Sequence, residues 1–180
     1  MSRRASLALA IIVGGCVHRP SGTSQPLALD ELVSFADPAT CSPGTGHAEF
    51  LGAMIEGDAN VGFRPGKIVA PNRYASAFGQ VYLQTHEGYT EIGAPARGTL
   101  FGLPIAAVVQ SLPEGGDPGE THYRFQAQPE TVQRVLAERG FPVKLGQSVS
   151  IGPPDGYEHF IELIVDPVHP GHTLLSCGYR

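Results

Sequence analysis

The sequence predicts an α+β domain, an antiparallel β-sheet with one helix packed on a face plus short N-terminal helices, and three observations predict it. Apolar and polar residues alternate with period two at 80–92, 121–127 and 157–165, the pattern of strands buried on one side. One stretch, 129–140, carries the start, stripe and stop signals of an amphipathic helix. The 23 Gly and 16 Pro stand singly or in pairs between apolar segments, as turn punctuation with no fixed-period repeat.

The chain begins with a basic pair, Arg3 and Arg4, an apolar run over 5–13, and then Val13-Gly14-Gly15-Cys16. This is the build of an export signal. Nine helical residues extend about 14 Å, against a hydrocarbon core of roughly 30 Å, so the run is too short to span a membrane. The small residues directly before Cys16 resemble the lipobox of bacterial lipoprotein precursors. The resemblance covers only the leader. It implies a signal peptide over 1–15, diacylglyceryl transfer to the Cys16 sulfur, and palmitate or a similar chain on the new amino terminus. It also implies attachment to a membrane through that lipid anchor, with no need for the folded part to touch lipid. Val17 after the cysteine favours the outer membrane, facing the periplasm, by likeness to the sorting of enteric lipoproteins. Residues 16–28 are then a lipidated tether, polar and proline-bearing, and 29–180 a single domain.

Within that domain the spacing of Leu29, Leu32, Val33 and Ala36 predicts a short helix over 27–36, between Pro26 and Pro38. Phe50, Leu51, Met54 and Ile55 give 48–56 a helical face, although a strand of that length fits too. A short strand at 67–70 is stopped by Pro71, and 74–78 suits one helical turn. Val81, Leu83 and Thr85 alternate with Gln80, Tyr82 and Gln84, and Glu87-Gly88 separates them from the run 89–92, which predicts a hairpin. The most apolar stretch, 99–112, reads as one strand buried on both faces, with Leu103, Ile105, Ala107 and Val109 on one side and Ala106 and Val108 on the other. Tyr123 and Phe125 alternate with His122, Arg124 and Gln126. Pro129 and Glu130 then suit a helix start, Val132, Val135 and Leu136 form its inward stripe, and Gly140 ends it. An apolar piece at 143–151, a strand at 157–165 and a last strand at 173–179 complete the chain.

Net charge is −5, and Lys67 and Lys144 are the only lysines, so the basic face of a nucleic-acid binder is missing and no nucleic acid is expected. With Cys16 assigned to lipid, Cys41 and Cys177 remain as an even pair in a chain sent to an oxidising compartment, which predicts a disulfide. Candidate chemistry is sparse. His169-Pro170-Gly171-His172 with Asp166 upstream is the one local cluster of metal-ligating types, but its Pro-Gly centre suits a solvated hairpin loop better than a zinc site. The acidic 114–120 loop lacks the alternating oxygens of a calcium loop, and Ser148 does not complete a nucleophile elbow. No cofactor is expected. The sequence therefore favours a non-enzymatic envelope lipoprotein that binds a protein or cell-wall partner. Two further readings stand beside it: a secreted hydrolase or metalloprotein using Asp166, His169 and His172, and a small-molecule carrier.

Overall fold

The computed structural model describes residues 26–58, 60–115, 119–151 and 158–179. Cys16, the leader 1–15 and the tether as far as residue 25 lie outside the described residues, as does Asp117. Among the described residues, strand accounts for 46% and helix of every kind for 17%.

The chain opens with two short strands, β1 (Phe35–Asp37) and β2 (Ser42–Pro43), around a 3-10 turn at Pro38–Thr40. Asp37 caps that turn by accepting a hydrogen bond from the Ala39 amide at 3.0 Å. Helix α1 (Thr45–Ala53) follows, then the small ladder of β3 (Ile55–Glu56) and β4 (Arg64–Pro65). The main body is β5 (Tyr82–His86), β6 (Tyr89–Leu100), β7 (Leu103–Pro113) and β8 (Glu120–Phe125), followed by α2 (Pro129–Glu138), β9 (Gln147–Ile151), β10 (His159–Val165) and β11 (Thr173–Tyr179). Six of these strands form one sheet in the order β10-β11-β8-β7-β6-β5, every neighbour antiparallel, and β9 runs beside β10 as a seventh.

The fold class differs from expectation. The molecule is mostly β and is not an α+β sheet with one helix on a face: strand far outweighs helix, β6 runs from Tyr89 on to Leu100 where the alternation implied a strand over 89–92 alone, and among the described residues only two α-helices, α1 and α2, stand beside a seven-strand antiparallel sheet. The apolar stretch 99–112 is two strands, because Phe101 and Gly102 both take positive φ (57° and 77°) and turn the chain between Leu100 and Leu103. Left-handed residues at both turn centres match the twist of the strands they join. A register shift between Ile105 and Ala107 then reverses the alternation, so Ile105 and Val108 share the core face.

The helix expected at 27–36 is a single turn. Leu32 and Val33 amides both reach the Leu29 carbonyl, after which Phe35 enters β1. Leu29 and Val33 are buried as their spacing required, but the segment is held from outside: Leu29 donates to the Thr99 carbonyl at 2.8 Å and Thr99 donates to the Leu27 carbonyl at 2.9 Å. The 67–70 segment is not a strand. The ambiguous 48–56 segment is helical through Ala53 and extended at Ile55–Glu56.

One face of the sheet carries the core. Ile92, Val108, Phe125, Leu163 and Leu175 lie in a single buried cluster with Leu29 and Val33, with Phe50 and Met54 from the α1 region, and with Val132 and Leu136 of α2. His47 is fully buried within it. Its Nδ1 faces the Ser34 carbonyl at 2.9 Å, which only accepts, so Nδ1 carries the proton and Nε2 accepts from the Tyr123 hydroxyl at 3.0 Å. The Cys41–Cys177 disulfide fastens the N-terminal turn to β11, with Cα atoms 6.0 Å apart. That separation is ordinary for a disulfide.

Candidate functional site

Successive side chains of a strand point to opposite faces, so the strands that bury Tyr123 and Phe125 turn His122 and Arg124 the other way. Cross-strand register then decides what these two meet. Ser176 of β11 stands directly opposite His122, and Ser111 of β7 stands opposite Glu120. Across the next ladder Ser111 is opposite Glu91 of β6, and Tyr82 of β5 is opposite Gly93. The result is one polar strip running across five strands.

Its centre is His122. Nε2 lies 3.0 Å from the Ser111 hydroxyl and Nδ1 lies 2.8 Å from the Ser176 hydroxyl. Burial lowers its pKa to about 4 against the partial opposition of Glu91 and Asp166, so the ring is neutral at neutral pH. A neutral imidazole donates from one nitrogen and accepts at the other, so one serine hydroxyl donates to it and the other accepts. The Glu120 carboxylate lies 3.7 Å from Nε2.

Beside His122, Arg124 donates from Nε to Asp166 Oδ2 at 2.6 Å, and both side chains are largely buried. Asp166 also accepts from the amides of Val168 at 2.8 Å and His169 at 3.0 Å. Burial works to raise its pKa. The two amides and the guanidinium outweigh that and bring it down to about 2. At the far side of the strip the Tyr82 hydroxyl donates to Glu91 at 2.8 Å, and burial followed by Glu91 raises that phenol to about 12. Two strand glycines make room for this arrangement. A Cβ on Gly93 would overlap the Tyr82 ring, and one on Gly178 would overlap the Glu120 side chain. The strip opens into a pocket of about 280 Å³, lined also by Tyr89, Val109 and the Pro167-Val168 turn.

The residues singled out from sequence fall elsewhere or take other roles. Cys41 and Cys177 are joined, the pair expected to form a disulfide. Asp166 does meet His169, whose Nδ1 lies 3.2 Å from Oδ2, but its oxygens are occupied by Arg124 and by its own turn. His169 and His172 stand edge to face with ring centres 5.9 Å apart. Among the described residues no group of three or more His, Cys, Asp or Glu is arranged to hold a metal ion. Sequence reasoning passed over Ser111, His122 and Ser176. Alternation already placed His122 and Arg124 on one face, but only the pairing register brings the two serines to the imidazole. Comparison with protein-family models, with curated proteins and with solved structures finds no match to this chain.

Proposed function

We propose that the chain is a lipid-anchored protein of the bacterial cell envelope, held at the outer membrane through Cys16, whose domain is a non-enzymatic binding module. Its binding surface is the polar sheet face that opens into the pocket beside Glu91, His122 and Arg124. The observation that carries this reading is a desolvated, mutually hydrogen-bonded polar strip on the face away from the core. Buried polar groups cost free energy unless paired, and an ordinary solvated sheet face has no need of them.

The strip suits holding a ligand better than transforming one. Ser111 and His122 have the spacing of a nucleophile and its base, but a ring with its pKa near 4 is a weak base at neutral pH. Ser111 also sits inside a paired strand, where backbone amides are engaged in ladders on the sheet and are not gathered at a developing oxyanion.

Two measurements test the proposal. Palmitate should label the wild type and leave Cys16→Ser unlabelled, and equal labelling of both removes the anchor. A photo-crosslinking side chain at Glu120 should give an adduct of defined mass in intact cells, and one at Arg134, exposed on α2, should not. Equal capture from both positions overturns the assignment of the binding face.

A further inference from the structure

Resting on that reading of the pocket, we infer that its ligand is a neutral saccharide, seated as a single sugar ring against Tyr89 with its hydroxyl edge toward Glu91, Ser111 and Arg124. The pocket carries both kinds of hydrogen-bonding group. Glu91 and Glu120 only accept, the Arg124 guanidinium only donates, and Ser111 does either. A hydroxyl-bearing ligand meets both kinds at once. An anion would meet Arg124, but the charge of that guanidinium is already offset by the Asp166 carboxylate at Nε, and the two further carboxylates repel negative charge. An amine cation would meet the carboxylates and leave the Ser111 and Arg124 donors without an acceptor on the ligand.

The aromatic component points the same way. Tyr89 lines the pocket, and its ring is fixed by stacking on His86, with centroids 4.6 Å apart and planes inclined by 13°. A fixed phenol ring offers apolar area at little further entropy cost, and the C–H face of a sugar ring is the apolar surface that fits it. Volume limits the ligand to one ring. Pockets for drug-sized ligands span roughly 300–1,000 Å³, and this one, at about 280 Å³, lies below that range.

Saturation-transfer NMR on the mature, detergent-solubilised protein tests this with glucose, galactose and N-acetylglucosamine, alongside putrescine as the cation and succinate as the anion. At least one neutral sugar should receive saturation, most strongly on the C–H protons of one ring face. Its affinity should fall about tenfold or more in Tyr89→Ala and in the isosteric Glu91→Gln, and persist in Tyr89→Phe. Putrescine or succinate binding that Glu91→Gln or Tyr89→Ala abolishes, with no sugar signal, overturns the saccharide assignment and leaves the pocket standing. A sugar signal indifferent to all three substitutions, or no signal from any sugar, also overturns it. The pocket itself is judged separately, by the Glu120 crosslink.

Discussion

His47 and His122 occupy opposite faces of the same sheet and are held in the same way, each neutral and each bonded to a hydroxyl. Burial lowers both from 6.5 to about 4. Between those pH values the unfolded chain binds more protons than the folded one, so stability is complete above pH 6.5 and falls as pH drops toward 4. Each ring contributes about 3 kcal/mol over that window. Asp166 acts in a lower window. Its pKa of about 2 against an ordinary 3.8 stabilises the fold above pH 3.8 and is lost as pH falls through 2. Urea midpoints measured from pH 7 to 4 should therefore decline in the wild type and decline less steeply in His122→Asn; identical slopes would show that His122 is not buried as described. Gly93 is the other residue on which the strip depends. In Gly93→Ala the new methyl displaces the Tyr82 ring, at a cost of about 1–3 kcal/mol, and breaks its bond to Glu91. The alkaline absorbance titration should then lose its component near pH 12, and an unchanged titration would count against this packing.

At the scale of elements, the disulfide joins a marginal part of the chain to a strong one. The N-terminal turn and β1–β2 pair form a two-stranded ladder of their own, whereas β11 is hydrogen-bonded on both sides, to β10 and to β8. Closing a loop across a sequence separation of 136 removes chain entropy worth about 5 kcal/mol in the unfolded state. Cys41→Ser/Cys177→Ser should lose stability of that order, and hydrogen exchange should rise first at 34–44 while β7 and β8 stay protected. Uniform loss of protection would contradict a local fastening. The elements most legible in the sequence were those whose signals are local. Helix α2 has Pro129 at its start and Gly140 (φ 93°) just past its end, and the β5–β6 turn has Glu87-Gly88. The 27–36 segment misled because, of its two i, i+4 pairs, only Leu29 and Val33 are buried, and that pair fits a single turn as well as a helix; what holds the segment is a partner at Thr99. The 99–112 segment misled because Phe101 takes a left-handed conformation that its type seldom adopts. The polar strip was illegible for a related reason: Ser111, His122 and Ser176 are far apart in sequence and meet only through the register of two ladders.

At the scale of the whole molecule, the proposed reading makes the anchor and the folded domain separable, and charge is the reason. A net charge of −5 gives the protein no attraction to anionic headgroups, and among the described residues no helix is long and apolar enough to cross a membrane. Under the proposed reading, membrane attachment then rests on acyl chains at Cys16, each buried methylene contributing about 0.8 kcal/mol. Two consequences can be measured in one fractionation. Wild-type protein should stay with membranes through washes in high salt, because acyl burial, unlike electrostatic adsorption, is not screened. Cys16→Ser should appear wholly in the soluble fraction, with the thermal midpoint of the delipidated wild-type domain and with its sugar binding intact, since the strip and its pocket are built from residues between Tyr82 and Gly178. Retention of Cys16→Ser on membranes would mean that the domain itself carries a lipid-binding surface. Its release with altered sugar binding would mean that anchor and pocket are coupled.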